Sequence, residues 1–282
     1  MKVFVTGVTG QLGFDVCRVL KEQNIEYFPC SRETFSLEDF EKAREVIENY
    51  RPDVIIHAAA YTAVDKAETE TELCNKINCE ATENLAKIAK DVNAKFIYIS
   101  TDYVFPGEGE NFYEINDEKN PLNAYGKSKL MGEKSVVNTL DKYFIVRISW
   151  VFGKNGKNFI KTMLNLSKTR DEVRVVADQI GSPTYTLDLA KLLVDMAKTE
   201  KYGVYHATNE GVCSWAEFAE EIFKLANKNT KVIKISTEEY PTPARRPKNS
   251  RMSKKSLDNA GFSRLPSWQD ALKRYLEELK NA

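Results

Sequence analysis

Residues 6–13 read Thr-Gly-Val-Thr-Gly-Gln-Leu-Gly and directly follow the strand-like run Lys2–Val5. In this G-x-x-G-x-x-G spacing, Gly7 permits a sharp turn out of the strand, and Gly10 lets the backbone approach a pyrophosphate. Gly13 lets the following helix pack close to the sheet. The N–H groups and the dipole at the start of that helix then face the phosphates. The stretch therefore predicts a dinucleotide-binding turn between the first strand and the first helix of a doubly wound sheet.

Short apolar runs and helical patterns alternate along the rest of the N-terminal half. The longest helix is predicted over Glu68–Val92. Such alternation is typical of a parallel sheet covered on both faces, and near-continuous apolar strands fit burial on both sides. Further strands are predicted over 25–29, 53–57, 95–100 and 143–149. The predicted fold class is α/β, with a doubly wound, Rossmann-like parallel sheet.

The pattern changes after residue 150, where helices and short strands follow one another with no obvious linker. We therefore predict a smaller α/β substrate-binding lobe that is interleaved with the first domain rather than tethered to it. The predicted division gives 1–150 to a dinucleotide-binding domain, joined by about 173–205, and gives 151–172 and 206–282 to the substrate-binding lobe.

Charge and cysteine content narrow the classes of partner. Lys plus Arg equals Asp plus Glu, at 41 each, so no global field favours nucleic acid or an anionic membrane. No apolar run approaches the ~20 residues that span a bilayer, and the N-terminus lacks a signal-peptide pattern. The five cysteines include no C-x-x-C pair, so we predict reduced thiols and a cytoplasmic protein. No metal site is predicted from two histidines; a divalent cation and a homodimer stay open.

Two groups of polar residues predict the chemistry. Thr101 and Asp102 stand at the end of the fourth β-α strand, where open α/β sheets bind ligands. Tyr125 and Lys129 are four residues apart and share one face of a predicted helix. A phenol with a pKa near 10 is a poor acid or base at neutral pH unless a cation favours its phenolate form. We expect the Lys129 ammonium to do so. The same ammonium can hydrogen-bond ribose hydroxyls.

Several further segments appear in order across nearly the whole chain. They are His57–Ala60, Ala59–Glu68, Ser100–Phe105, Arg147–Phe152, Asp178–Thr184, Tyr240–Pro247 and Asn249–Arg251. With the glycine turn and the Tyr125/Lys129 pair, they resemble the dTDP-4-dehydrorhamnose reductase family of extended short-chain dehydrogenases/reductases. The resemblance implies a reductase that uses a nicotinamide cofactor on the 4-keto group of a dTDP-6-deoxy-hexulose, giving dTDP-L-rhamnose.

The resemblance also implies roles for individual residues. Thr101, Tyr125 and Lys129 match the family's catalytic trio. The implied cofactor contacts, besides Tyr125, Lys129 and the three glycines, are Gln11, Leu12, Ala60, Tyr61, Thr62 and Ile99. Arg32 is predicted as a cofactor contact from its own charge, and Ser36 and Leu37 are predicted as contacts at the place where relatives often carry an aspartate followed by an apolar residue. The implied substrate contacts are Thr101, Asp102, Trp150, Arg245, Arg246 and Arg251, because guanidinium groups suit a nucleotide diphosphate. His57 is interpreted as a packed strand-end residue, since the family tolerates asparagine there.

The cofactor prediction favours NADPH and leaves NADH open. The second strand is followed by Ser31 and Arg32, without the acid that holds the adenosine 2′-hydroxyl of NADH. A serine and an arginine instead suit a 2′-phosphate.

Two other functions stay open on the sequence. A related nucleotide-sugar dehydratase or epimerase would share the fold. Dehydratases carry two successive acids after the threonine, whereas here Asp102 is followed by Tyr103, so the second carboxylate for water elimination is missing. A non-catalytic regulatory member would share the fold as well, because a fold does not confer activity by itself.

Overall fold

The computed structural model describes residues 1–280. Its strands are β1 (Lys2–Thr6), β2 (Glu26–Cys30), β3 (Val54–His57), β4 (Lys95–Thr101), β5 (Tyr143–Ile148), β6 (Val151–Phe152), β7 (Glu172–Val176), β8 (Ile180–Gly181), β9 (Thr184–Tyr185), β10 (Gly203–His206), β11 (Cys213–Ser214), β12 (Lys231–Ile235) and β13 (Asn249–Ser250). Its α-helices are α1 (Gln11–Glu22), α2 (Phe40–Tyr50), α3 (Thr71–Asn75), α4 (Ala81–Asp91), α5 (Ala124–Thr139), α6 (Phe159–Leu166), α7 (Thr186–Ala197), α8 (Trp215–Leu225), α9 (Lys255–Ala260) and α10 (Trp268–Lys280).

The large sheet has six strands in the order β10-β5-β4-β3-β1-β2, and every neighbouring pair is parallel. All of β3 is buried, and so is β4 after its first residue, Lys95, as expected for parallel strands between two helical layers. The strand order reverses at β1, which lies between β2 and β3. Ligands bind outside the carboxyl ends of the strands at such a switch point. The glycine turn leaves β1 at this place.

The second lobe is built on three small sheets: β11-β8-β13, β12-β7 and β6-β9. Strand β7 pairs with β12 and not with the large sheet, whereas β10 lies at the edge of the large sheet. The segment that rejoins the large sheet therefore begins after β7, later than residue 173. The assignment of the two parts to cofactor and substrate stays a prediction.

The predicted long helix over Glu68–Val92 is interrupted in the structure. Lys66–Glu68 is a 3-10 turn, and a π-helical turn at Lys76–Glu80 separates α3 from α4. Helical periodicity continues through such a turn, so the sequence pattern concealed it. In residues 1–280 no helix combines the length and apolar character that crossing a bilayer requires.

Candidate active site

The glycine turn forms a tight cradle at the carboxyl end of β1. Gly7 has a φ of 71°, which favours glycine, and its carbonyl accepts from the Gly10 N–H at 2.9 Å. A Cβ on Gly13 would lie 2.6 Å from the Gly7 carbonyl carbon, so only glycine lets α1 approach this closely. No side chain caps the start of α1 at Gly10. The first N–H groups of α1 are therefore available to an anion, and this part of the structure fits the pyrophosphate of a dinucleotide.

The carboxyl end of β3 lies beside this turn. The Ala59 N–H donates to the Thr6 hydroxyl at 3.1 Å, so the segment with Ala60, Tyr61 and Thr62 starts next to the glycine turn. Asn78 of the π-helical turn holds the Tyr61 backbone at both groups, accepting from its N–H at 2.8 Å and donating to its carbonyl at 3.0 Å. Sequence analysis missed Asn78, because its function depends on the π-helical turn.

His57 is buried at the end of β3 and fully hydrogen-bonded. The Thr82 hydroxyl donates to the Asn78 carbonyl and therefore accepts from His57, which places the ring proton on Nε2 and leaves Nδ1 to accept from the Thr6 hydroxyl at 2.8 Å. The Nε2–H of His57 then donates to the Thr82 hydroxyl at 3.2 Å. Burial and, to a smaller extent, the charge of Lys129 lower the His57 pKa to about 3. His57 is therefore a neutral packing residue at neutral pH, which matches its interpretation from the sequence.

The residues predicted at the adenosine end lie after β2. Arg32 and Ser36 are exposed, and Leu37 packs against the core beneath them. Arg32 makes no ion pair within the described residues, so its guanidinium is available to a phosphate. The Ser36 hydroxyl accepts from the Glu38 N–H at 3.3 Å.

Thr101 and Asp102 lie at the carboxyl end of β4, and Ile99 precedes them on the same strand. The Thr101 hydroxyl donates to Asp102 Oδ1 at 2.9 Å, and the Ser250 hydroxyl of β13 donates to the other carboxylate oxygen. Burial raises the Asp102 pKa to about 6, against the lowering effect of these two hydroxyls. Ser250, which sequence analysis missed, thus ties the second lobe to the end of β4.

Tyr125 lies in the first turn of α5. That turn is capped twice: Asn123 accepts from the Gly126 N–H and Glu68 accepts from the Ala124 N–H, both at 2.8 Å. The ring of Tyr103 packs edge-on against the Tyr125 ring, with centroids 5.8 Å apart. These contacts hold the phenol at the carboxyl ends of the strands, near Thr101.

The Tyr125 pKa lies above its ordinary value. Burial is the main cause, the Asp102 carboxylate adds to it, and the Thr101 hydroxyl opposes both. The sequence led us to expect a phenolate favoured by Lys129, and this expectation is wrong for the chain alone. The phenol instead keeps its proton, which is the state that a proton donor needs.

Lys129 lies one turn after Tyr125 on α5 and is only 2% exposed. Its Nζ stands 4.0 Å from the centroid of the Tyr98 ring. Within residues 1–280 this Nζ enters no hydrogen bond or ion pair, so it is available to an acceptor such as a ribose hydroxyl. Burial lowers the Lys129 pKa to about 7, against the raising effect of Glu133.

Trp150 follows β5 and has a φ of 50°, which an L-residue rarely adopts. Its indole stacks on that of Trp215 with ring centroids 3.8 Å apart, and the Phe159 ring packs on Trp215 with centroids 4.7 Å apart. The stacking fixes the strained conformation of Trp150 and places an aromatic surface in the second lobe. Sequence analysis missed Trp215, which is the first residue of α8.

The three predicted diphosphate-binding arginines differ in their surroundings. Arg246 forms an ion pair with Asp65 at 2.7 Å, and its other nitrogen lies 3.5 Å from the Tyr103 hydroxyl. Arg245 is exposed and makes no ion pair within the described residues. Arg251 donates to the Asn249 side chain at 3.0 Å. Arg245 is thus the one of the three whose guanidinium makes no hydrogen bond or ion pair within residues 1–280.

Comparison with known proteins identifies relatives along the full length. The chain matches the family described as the RmlD substrate binding domain over residues 1–281. It is 40% identical to the dTDP-4-dehydrorhamnose reductase of Escherichia coli K12, over 99% of this chain and 98% of the relative. It is also 40% identical to the spore coat polysaccharide biosynthesis protein SpsK of Bacillus subtilis, over 100% and 99% of the two chains.

Solved structures agree with this result. A dTDP-4-dehydrorhamnose reductase from Bacillus anthracis, solved in complex with NADP, has a TM-score of 0.96 at 43% identity and covers 98% of this chain and 99% of its own. The enzyme of that name from Clostridium acetobutylicum has a TM-score of 0.97 at 42% identity, over 99% and 100%. A UDP-glucose 4-epimerase of Thermus thermophilus, at 18% identity and a TM-score of 0.85, shares the fold. The predicted Rossmann-like fold and the predicted resemblance are confirmed, and this chain belongs to the RmlD substrate binding domain family, together with dTDP-4-dehydrorhamnose reductases.

Proposed function

We propose that this protein is an oxidoreductase that reduces the 4-keto group of a dTDP-6-deoxy-hexulose, giving dTDP-L-rhamnose, with NADPH or NADH as the reductant. The observation that supports the proposal is the position of Thr101 at the end of β4 next to Tyr125 of α5, with Lys129 one turn later on that helix. A glycine turn that fits a pyrophosphate follows β1 of the same sheet. The NADP complex of the Bacillus anthracis relative supports the choice of cofactor.

A nicotinamide supplies a hydride when it is bound, and the protein supplies orientation, charge and one proton. Tyr125 donates that proton to the oxygen of the keto group, since burial keeps its phenol protonated. The Lys129 ammonium stabilises the negative charge then left on the phenolate, and it holds ribose hydroxyls with its free donors. The Thr101 hydroxyl stands at the end of β4, where it orients the keto oxygen.

The second lobe provides the groups for the nucleotide sugar. Asp102 and the fixed Trp150 indole face the sugar in this proposal, and Arg245 and Arg251 bind the diphosphate. Arg246 contributes by holding the arginine-rich loop to Asp65. Hydrogen-bonded and aromatic groups therefore converge on the substrate from both lobes.

The test follows the absorbance of NADPH and of NADH in parallel, with dTDP-4-keto-6-deoxy-hexulose as substrate. The wild-type protein is expected to consume the reduced cofactor, whereas a redox-neutral epimerase consumes none. Tyr125→Phe removes the proton donor and is expected to lower kcat about 100-fold or more, with little change in the cofactor Kd. Tyr202→Phe, which changes a tyrosine packed on Phe144, is the matched control. Full activity in Tyr125→Phe would exclude the proposed role.

The location of the protein in the cell and its assembly state are part of the same proposal. The five cysteines are free and four of them are buried, which is typical of a reducing compartment and supports a cytoplasmic location. A homodimer is the assembly to test, and sedimentation equilibrium of the purified protein distinguishes it from a monomer.

A further inference from the structure

Beneath the catalytic trio lies a buried ion pair that joins three elements. Glu133 lies one turn after Lys129 on α5, and Arg147 lies on β5. Arg147 binds both carboxylate oxygens of Glu133, at 2.8 and 2.7 Å, with 2% and 6% of the two side chains exposed. The Ser100 hydroxyl of β4 donates to the same carboxylate at 2.5 Å.

Arg147 is itself fixed on its far side. It donates to the Ile115 carbonyl at 3.0 Å, and it lies 3.3 Å from Nε2 of His206. His206 Nδ1 faces the Ser253 carbonyl at 3.0 Å and must donate to it, which leaves Nε2 free to accept from Arg147. With its charge and donors engaged, Arg147 holds the Glu133 carboxylate in one position.

The position of this carboxylate connects the two halves of the catalytic trio. Ser100 directly precedes Thr101, so the hydrogen bond to Glu133 ties the end of β4 to α5. The same helix carries Tyr125 and Lys129. Movement of Glu133 would therefore change the separation between the Thr101 hydroxyl and the phenol.

The charges that face Lys129 differ among the elements packed around it. Glu133 acts on it from one turn further along α5, and the Tyr98 ring of β4 lies 4.0 Å from its Nζ. The Cys74 thiol of α3 has a pKa raised by burial, and His57 of β3 has a pKa lowered to about 3, so both are neutral near pH 7. Glu133 is thus the charged group that opposes the effect of burial on Lys129.

We propose that Glu133 is a positioning residue of this active site: it holds the end of β4 against the catalytic helix and supplies the negative charge that faces Lys129. The proposal rests on the proposed reductase function, because it assigns Glu133 to the support of the same trio. Neither Glu133 nor Arg147 touches substrate or cofactor in this scheme. The two parts of the role, geometry and charge, can be separated by mutation.

Ser100→Ala removes the bond between strand and helix and leaves the ion pair intact. We expect about a tenfold lower kcat, because small misplacements of reacting groups reduce rates steeply. The alkaline limb of the kcat–pH profile, the decline in kcat as Lys129 loses its proton, should stay at the same pH. Glu133→Gln keeps an oxygen for Ser100 and removes the charge. We expect the alkaline limb of kcat to move to lower pH by about one unit, since an opposite charge nearby shifts a pKa by one unit or more.

Glu133→Gln leaves the buried Arg147 charge without its partner and can destabilise the fold. A second variant therefore tests the charge role without an unpaired charge. The double variant Glu133→Leu/Arg147→Met removes both charges, and such exchanges of a buried pair are often tolerated. It is expected to shift the limb in the same direction, by less than Glu133→Gln. The matched control is Glu83→Gln, which removes a carboxylate from an exposed pair with Lys87 at the same four-residue spacing, and it should shift nothing.

A limb that stays at the wild-type pH in both Glu133 variants would overturn the charge role. Wild-type kcat in Ser100→Ala would overturn the geometric role. Failure of the proposed function has a different signature, since the wild-type protein would then oxidise no NADPH with the keto sugar. In that case the pH dependence of the NADPH Kd still reports the charge of Lys129, with the same expected shift in Glu133→Gln.

Discussion

Replacing Gly13 with alanine tests the cofactor cradle directly. The added Cβ would lie 2.6 Å from the Gly7 carbonyl carbon and 2.9 Å from the Val8 Cα. The first distance is about 1 Å inside the optimal carbon–carbon separation of ~3.5 Å. Both partners are backbone atoms, so no side-chain rotation relieves the overlap. Either α1 moves away from the sheet or the Gly7 turn opens.

The magnitude follows from the cost of overpacking, which is about 1–3 kcal/mol. We expect Tm to fall by several degrees, as is usual for a domain of this size. Opening of the turn also moves the N–H groups that face the phosphates. If about 1.4–2.8 kcal/mol of binding is lost, the NADPH Kd rises about 10- to 100-fold. Both quantities are measured on the same sample, by thermal unfolding and by the fluorescence of bound NADPH.

Gly10→Ala separates the two effects, because a Cβ there meets only the Gly7 oxygen, at 3.2 Å. Its φ of −84° suits an alanine, so Tm is expected to change little. The affinity for NADPH should still fall, since the added methyl group faces the position of the pyrophosphate. A Gly13→Ala protein with wild-type Tm and wild-type NADPH Kd would refute the close-packing explanation.

Three further predictions concern charge. Burial lowers the Lys129 pKa to about 7, so its ammonium is lost as pH rises through 7, and kcat should decline above that pH; a flat profile to pH 9 contradicts this. His57 has a pKa of about 3 in the folded state and near 6.5 in the unfolded state, so below pH 6.5 a proton binds the unfolded state alone and lowers the free energy of unfolding. His57→Asn should therefore reduce the difference in this free energy between pH 7 and pH 5 by about 2 kcal/mol, measured by urea titration. Asp65→Asn and Arg246→Gln should each raise the KM for the nucleotide sugar, with a coupling of at most about 1 kcal/mol in a double-mutant cycle, because the pair is partly exposed; strictly additive effects would show that the pair does not hold the loop.

Local sequence patterns predicted much of the large sheet. The glycine spacing and the apolar runs placed β1, β3, β4 and β5 within a residue or two, since burial on both faces leaves a continuous apolar signature. The π-helical turn at Lys76–Glu80 was missed, because helical periodicity continues on both sides of it. The pairing of β7 with β12 was missed as well, since a short strand does not reveal its partner.

Site chemistry was less accessible from the sequence. A lone arginine in the apolar run of β5 was a usable signal, since a buried cation requires a partner, but it did not indicate Glu133. Nothing in the motif with Arg245 and Arg246 distinguished the free arginine from the one paired with Asp65. That distinction depends on which residues face the loop from another element.

By itself, the sequence determined the fold class, the position of the glycine turn and the family, and it supplied the residues that are proposed for catalysis. These depend on short-range spacing and hydrophobic periodicity, which the order of residues contains directly. Only the tertiary structure decided the charge states at the site: a phenol that keeps its proton, a lysine that titrates near pH 7 and a carboxylate held beneath both. Charge depends on burial and on groups brought together from distant parts of the chain, so it follows from packing and not from spacing.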